Sequence, residues 1–236
     1  MKKKIVSISI LLCVFMFSFG FYNPLVVKAD EVPNYSAEEL SMFRRVREIE
    51  LEQLIEVYKK IEAYEKAHHV VPNEMEILKH SKDLPALGTH GDIIISLKAS
   101  SGSALPFTGH AAIVSENRWQ TIESYAKLFS PIGKAGVQIY DNTWKSKKNT
   151  FLVRPIGAKH ADYLKAARYA RKQVGKPYSF SFFNKEKKDA FYCSQLVWRA
   201  WREAGKNIGE NPQFKGAVFP LDILQSPNTK VHEVVR

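Results

Sequence analysis

The chain has 236 residues, of which 45% are hydrophobic and 12% aromatic, and it carries a formal net charge of +11. This length and composition suit one medium-sized domain with an appendage and are enough to bury a sizeable core. The positive charge is scattered and accompanies no nucleic-acid-binding motif, which argues against DNA or RNA as a partner. It either favours contact with anionic wall polymers or membrane surfaces, or serves only to keep the protein soluble.

The first 29 residues have the three parts of a secretory signal peptide. A cluster of three lysines precedes an uncharged apolar run at residues 5–21, and small residues stand before a cleavage site after Ala29. We therefore expect a secreted or cell-wall-associated protein whose mature chain begins at Asp30. The alternative is an uncleaved membrane anchor, for which the run is somewhat short. Cleavage would remove Cys13 and four lysines but no acidic residue, leaving a net charge of +7 and Cys193 as the single cysteine.

Residues 30–84 are predicted to form a helical region outside the main domain. Ser36 and Glu39 have the spacing of a capping box, and a helical pattern continues from there to about residue 68. A short second helix is expected from Asn73. The apolar residues of the long helix form a stripe that needs a partner surface: Leu40, Phe43, Leu51, Leu54, Ile55, Tyr58, Ile61 and Tyr64. A packing face on the main domain, a cover over its site and a dimer contact all remain open, as does the oligomeric state.

Residues 85–236 are predicted to form the main domain, in which short apolar strands come first and helices follow. Strands are expected at 91–96, 109–114, 119–125, 137–140, 151–156 and 230–235, and helices at 160–174 and 193–204. Consecutive short strands with helices outside them indicate an α+β fold with a largely antiparallel sheet. The C-terminal strand is expected at an edge of that sheet.

The second and third of these strands are expected to form a hairpin. If Val114 pairs with Trp119 across the turn, His110 lies directly opposite Glu123, and directly opposed residues share one face of the sheet. A carboxylate beside an imidazole fixes its tautomer and stabilises its charged form. The prediction depends on the register, because a turn with an odd number of residues would place the two side chains on opposite faces.

The remaining thiol begins a helical stripe formed by Cys193, Leu196, Val197, Ala200, Trp201 and Ala204. Cys193 is therefore predicted to face inward from the first turn of a helix, with Asp189 as a candidate N-cap. A helix N-terminus and a protonated His nearby both lower the pKa of a thiol. Cys193, His110 and Glu123 are thus candidates for nucleophile, base and orienting residue, with the Cys193 backbone N–H as an oxyanion donor. The alternative is that this lone cysteine is a small core residue.

Other chemistries have less support in the sequence. No Cys-x-x-Cys or His-x-x-x-His pair accompanies Cys193 or His110, so no metal site is expected. No glycine-rich phosphate-binding or dinucleotide-binding motif is present, so no cofactor is expected.

Five segments together resemble the papain-like NlpC/P-sixty hydrolases. They are Gly-Asp-Ile-Ile at 91–94, Gly-His-Ala-Ala-Ile-Val at 109–114, Ile-Glu at 122–123, Gly-Lys-Pro-Tyr at 175–178 and Phe-Tyr-Cys-Ser-Gln-Leu-Val at 191–197. The His strand precedes the Cys helix, which is the order of the circularly permuted, YiiX/YycO-like branch. The resemblance spans roughly residues 88–225 and implies a permuted papain-like fold, an antiparallel sheet packed by helices, with an N-terminal helical extension.

The resemblance further implies a cysteine hydrolase of peptidase or amidase type, with Cys193 as nucleophile, His110 as general base and Glu123 as orienting residue. Tyr178 matches a tyrosine that lies near the substrate in relatives, so substrate binding is expected of it; the alternative is an aromatic core residue. The expected substrate is an amide bond in peptidoglycan stem peptides. A lipid-directed acyl hydrolase or acyltransferase is the alternative, although the single His of the Gly-His strand disfavours the transferase. A third reading is a non-catalytic wall-binding module.

Overall fold

The structure, a computed structural model, describes residues 35–67, 85–97 and 109–235. The predicted signal peptide with its cleavage site after Ala29, and the short helix expected from Asn73, lie outside the described residues. The described residues belong to one compact unit, Asn34–Arg236. Within them, the structure contains no helix that combines the length and the apolar character needed to cross a membrane.

One antiparallel sheet forms the centre of the described chain. Its strands are β1 (Ile93–Ser96), β2 (His110–Val114), β3 (Gln120–Tyr125), β4 (Gly136–Asp141), β5 (Thr150–Pro155) and β6 (Thr229–Val235). They are arranged in the order β4-β3-β2-β1-β5-β6. β1 and β2 lie at the centre, and every residue of both is buried, as the apolar runs at residues 93–95 and 111–114 require. The predicted fold class is confirmed, and β6 occupies an edge as expected.

Four α-helices accompany the sheet in the described chain: α1 (Ala37–Ala67), α2 (His160–Arg171), α3 (Cys193–Glu203) and α4 (Pro220–Gln225). α3 packs against β2 and β3 and also against α2. Because it is covered in this way, its residues 193–201 are all buried. Gly205 follows α3 with a φ of +86°, a left-handed conformation that glycine adopts without strain and that ends helices.

The Gly-Asp-Ile-Ile segment anchors the start of β1. The Asp92 carboxylate is fully buried and accepts two hydrogen bonds of 2.8 Å from the Arg154 guanidinium on β5. A third comes from the Thr89 backbone N–H at 2.9 Å. A buried carboxylate is stable only with such partners. The Trp201 indole N–H donates to the Gly91 carbonyl at 3.2 Å, which ties α3 to the same point.

The capping box predicted at the start of α1 is confirmed. The Ser36 backbone N–H donates to Glu39 Oε2 at 2.8 Å, and the Glu39 backbone N–H donates to Ser36 Oγ at 3.1 Å. The face that α1 buries differs in part from the predicted stripe. Phe43, Val46 and Val57 are buried in the core, whereas four members of the predicted stripe are exposed: Leu40, Leu51, Ile55 and Tyr58. The two stripes are neighbours on the helix, and the contact of Phe43 with the main domain selects between them.

Candidate active site

The hairpin of β2 and β3 brings His110 and Glu123 together, although not in the predicted register. Ile113 pairs with Ile122, because the turn closes after residue 115 rather than 114. The predicted direct opposition of His110 and Glu123 is therefore wrong by two residues. Continued along both strands, the observed register brings Tyr125 opposite His110, and their rings stack at a centroid distance of 4.1 Å. A displacement of two residues keeps side chains on the same face, so Glu123 Oε2 still lies 2.9 Å from His110 Nε2.

Four donors converge on the Glu123 carboxylate, which is only 2% exposed. Oε2 accepts from His110 Nε2 and from the Tyr125 hydroxyl at 2.7 Å. Oε1 accepts from the Trp144 indole N–H at 3.0 Å and from the Thr121 hydroxyl. Burial by itself raises the pKa of this carboxyl, but the hydrogen bond and charge of His110, followed by the other donors, lower it to about 2. The carboxylate is therefore a fixed negative charge beside the imidazole.

Cys193 is the first residue of α3, and Tyr192 is its N-cap. The prediction of Asp189 as N-cap is wrong, since its side chain is 81% exposed. Instead, the Tyr192 backbone N–H donates to Gln195 Oε1 at 3.2 Å. The Ser194 hydroxyl donates to a backbone carbonyl at 2.8 Å. The residues that follow the cysteine therefore hold the start of the helix in place.

The Cys193 thiol is 1% exposed and interacts directly with the His110 ring. Nε2 of that ring is taken by Glu123, so Nδ1 is the nitrogen left for the thiol; it is buried and makes no well-formed hydrogen bond with any described residue. Burial raises the pKa of the thiol, but the charge and hydrogen bond of His110, and the backbone N–H groups of Ala111 and Ser194, lower it below its ordinary value. Burial lowers the pKa of His110, whereas Cys193 and Glu123 raise it to about 9. Both shifts favour a thiolate paired with an imidazolium in the resting site.

Tyr178, the predicted substrate-binding residue, lies near the thiol. The Ser179 backbone N–H donates to the Phe191 carbonyl at 3.0 Å, and the Phe191 N–H donates to the Pro177 carbonyl at 3.1 Å. These bonds pair the tyrosine segment with the stretch that leads into α3. The Tyr178 hydroxyl is buried without a hydrogen-bond partner among the described residues. Burial, and then the charge of Cys193, hold its pKa well above the usual range, so it is a neutral, unused donor.

The sequence analysis did not single out Thr121, Tyr125 or Trp144, which donate to Glu123. Thr121 and Tyr125 alternate with Glu123 along β3, so the period-two rule could have identified them as residues of the same face. Trp144 begins a short 3₁₀ helix, Trp144–Ser146, in a lysine-rich stretch whose composition favours an exposed loop. Its ring nevertheless lies nearly parallel to that of His110, 5.9 Å away. No local pattern in the sequence indicates that contact.

A close approach of two strands fixes the position of the imidazole. Gly109 has a φ of +103°, and a Cβ there would lie 2.2 Å from the Ser96 carbonyl oxygen of β1. Atoms at that separation overlap, so any side chain at residue 109 would push the start of β2 away from β1. Only glycine therefore allows His110 to begin the strand where it does.

These elements define a papain-like enzyme in permuted order, in which the strand that bears the imidazole precedes the helix that bears the thiol. The chain belongs to the family described as permuted papain-like amidase enzyme, YaeF/YiiX, C92 family, whose model matches residues 89–226. It is therefore a hydrolase of the amidase and cysteine-peptidase type, and the predicted family resemblance is confirmed.

Two individual proteins are similar to parts of this chain. The chain is 28% identical over 152 residues to the uncharacterized protein YiiX of Escherichia coli strain K12, an alignment that covers 61% of this chain and 74% of the relative. The crystal structure of the metalloprotein yiiX from Escherichia coli O157:H7 matches 62% of this chain and 97% of its own, at 19% identity and a TM-score of 0.42. Within the described parts of this chain, no group of three or more His, Cys, Asp and Glu side chains is placed to hold a metal ion.

Proposed function

We propose that this chain is an exported cysteine hydrolase that cleaves an amide bond in peptidoglycan stem peptides through Cys193, His110 and Glu123. The observation that carries the proposal is the buried series of contacts from thiol to imidazole to a carboxylate held by four donors. Burying an imidazolium and a carboxylate is unfavourable unless the two are paired. A cysteine that only fills the core needs no such neighbours.

Acylation would begin with attack of the Cys193 thiolate on the amide carbonyl carbon, whose oxygen becomes an oxyanion. The first N–H groups of a helix have no partner within it, and we assign the Cys193 backbone N–H as one donor to this oxyanion. The His110 imidazolium then gives its Nδ1 proton to the leaving nitrogen while the C–N bond breaks. The products of this step are a free amine, a thioester and a neutral imidazole. Glu123 keeps the other proton on Nε2 throughout.

Hydrolysis of the thioester would return the site to its resting state. Nδ1 of the neutral His110 takes a proton from water as the water oxygen bonds to the acyl carbon. The C–S bond then breaks, and the carboxylic acid leaves behind a thiolate and an imidazolium. The unused Tyr178 hydroxyl beside the thiol supports a role for this residue in binding a polar atom of the substrate.

Three features support a wall peptide as the substrate class. The family is one of amidases, and the bond between stem-peptide residues is an amide. The predicted signal peptide would deliver the protein outside the membrane once residues 1–29 are removed. The net charge of +7 on the remaining chain favours peripheral contact with anionic wall polymers or membrane surfaces.

A lipid-directed acyl hydrolase is the second candidate, and the aromatic cluster beside the thiol favours it. The rings of Tyr178 and Phe180 lie 5.0 Å apart, and Phe182 lies 6.4 Å from the first and 6.3 Å from the second. An aromatic cluster of this kind suits an acyl chain as well as an apolar peptide side chain.

The test is to incubate the chain that begins at Asp30 with muropeptides and, separately, with phospholipid vesicles, and to identify products by mass spectrometry. A new amine and carboxyl group in the muropeptides supports the proposal, whereas cleavage of lipid alone overturns the substrate class. Turnover of neither, together with a thiol pKa near the ordinary value of about 8.5, would indicate a binding module. Cys193→Ser keeps the size of the side chain and should fold normally but lose turnover; an active Cys193→Ser variant contradicts the assigned nucleophile.

A further inference from the structure

The helix outside the family match reaches the wall of the candidate site. The Phe43 ring of α1 stacks on that of Phe183 at 5.6 Å and meets Phe182 edge-on at 6.0 Å. Phe182 in turn packs 5.4 Å from Tyr192, the residue that precedes Cys193. A continuous series of aromatic contacts therefore connects α1 to the start of α3.

Tyr35, just before α1, extends this contact towards the thiol. Its ring meets Phe43 edge-on at 4.7 Å, and its charge is among the influences that raise the pKa of Tyr178. Both hydroxyls are buried, and neither has a hydrogen-bond partner in the described chain. Unpartnered buried hydroxyls are unfavourable. The Tyr35 side chain is therefore held by its packing on Phe43 and not by a hydrogen bond of its hydroxyl, and both hydroxyls would gain partners in water if the start of α1 moved away.

The thiol cannot be reached in this arrangement. Cys193 is 1% exposed and Tyr178 is 7% exposed, yet a nucleophile must contact the carbonyl carbon of its substrate. α3 is buried throughout residues 193–201 and β2 throughout its length, so neither can move without opening the core. α1, in contrast, is attached along one narrow face, and several of its large apolar residues are exposed. Of these three elements, α1 is the one whose displacement would disturb the core least.

We propose that the start of α1 is an autoinhibitory cover. Tyr35 and Phe43 fill the aromatic cleft in front of Cys193, and the site admits a substrate only after they have been displaced. The inference concerns access to the thiol and not the bond that is cleaved, so it stands independently of the substrate proposed above.

The experiment measures how fast iodoacetamide alkylates Cys193 in the folded chain that begins at Asp30, where it is the single cysteine. Phe43→Ala removes the ring that packs the start of α1 against the main domain, so the alkylation rate of Cys193 should rise roughly tenfold or more. Tyr35→Ala should change the rate in the same direction without altering the interior of the helix. Ile55→Ala is the matched control, because Ile55 is 56% exposed on the same helix, and it should react at the wild-type rate.

Equal rates in the wild type, Phe43→Ala and Tyr35→Ala, with cooperative melting retained, would overturn the inference and leave α1 as structural support alone. If Phe43→Ala loses its melting transition, Phe43→Leu is used instead. Its alkylation rate should rise by less, and a rate equal to that of the wild type would again contradict the cover. Faster alkylation with an ordinary thiol pKa and no turnover would uphold the cover and reject the catalytic proposal. If the variants alkylate and turn over substrate at the wild-type rates, the cover is rejected and the catalytic proposal stands.

Discussion

Replacing Glu123 with Gln tests whether the carboxylate controls where the proton sits on His110. The exchange keeps the size of the side chain but turns one of two acceptors into a donor. Trp144 can only donate, so the amide oxygen must face Trp144 and Thr121, which serve Oε1 in the wild type. The amide NH₂ group must then face His110 Nε2 and Tyr125. The imidazole is forced to accept at Nε2 and to carry its proton on Nδ1, where it points at the thiol.

The structure sets the scale of this effect. The pKa of Glu123 falls from 4.5 to about 2, and at about 1.4 kcal/mol per pKa unit the site as a whole, burial included, favours the ionised form by about 3 kcal/mol. His110 contributes the largest favourable part of that shift, and Glu123 is, after Cys193, the second partner that stabilises the imidazolium, so a neutral side chain at residue 123 removes part of that stabilisation. An imidazole in the wrong tautomer also cannot accept the proton it must move, and the equivalent exchange in Ser-His-Asp triads lowers kcat about 10⁴-fold. We expect turnover of Glu123→Gln to fall by roughly 10³- to 10⁴-fold.

The assay combines turnover with the pH dependence of alkylation by iodoacetamide. The wild-type thiol should titrate below its ordinary range, and the Glu123→Gln thiol should move up towards about 8.5. Glu116→Gln is the matched control, because Glu116 lies in the turn of the same hairpin, where it is exposed and pairs with Arg168 at 2.9 Å. Its exchange should leave the profile unchanged. A wild-type profile and wild-type turnover in Glu123→Gln would refute the reasoning.

Three more expectations concern pH, an indole and a glycine. As the pH rises, turnover should first increase at a pH below the ordinary thiol range, because the thiolate forms there. It should fall again as the pH rises through about 9, because His110 loses the proton that the leaving group needs. A pH–rate profile without this alkaline decrease would contradict the ion pair. Trp144→Phe removes one donor to Glu123 but keeps an aromatic ring, so turnover should fall about tenfold and the thiol pKa should rise, whereas an unchanged pH profile would assign Trp144 to packing alone. Gly109→Ala should lower the free energy of unfolding in urea by about 2–4 kcal/mol. Gly133→Ala is the control, because Gly133 also has a positive φ, +67°, but no atom lies within 4 Å of the added Cβ. It should lower the free energy of unfolding by only about 1 kcal/mol, and equal losses in the two variants would disprove the effect of the close approach.

The parts of the site that could be predicted are those encoded by local periodicity. Alternation along the two strands of the hairpin places His110 and Glu123 on one face of the sheet. The predicted register is wrong by two residues, but side chains alternate with a period of two, so the two residues still share that face. The helical stripe likewise places Cys193 at the inward-facing start of α3. Which strand precedes which helix is read directly from the chain, so the permuted order was also available.

The parts that could not be predicted depend on contacts between distant segments. Trp144 reaches Glu123 across 21 positions of the chain, through the fold of the connection between β4 and β5. Asp189 satisfies the local rule for an N-cap, but the backbone pairing of Phe191 with Pro177 and Ser179 keeps the preceding stretch extended and delays the helix. On α1 two neighbouring stripes are both apolar, and only tertiary packing chooses between them.

The burial of α3 also determines the order in which parts of the protein open. Its nine residues from 193 to 201 are buried, as is all of β2, so their amide hydrogens should exchange with solvent only when the whole domain unfolds. α1 is fastened along a single face, and its amides should be released by a local opening of much lower free energy. Thiol and imidazole should therefore belong to the last cooperative unit to unfold, and α1 to the first. If α1 opens as proposed above, Cys193 and His110 should stay aligned while it does so.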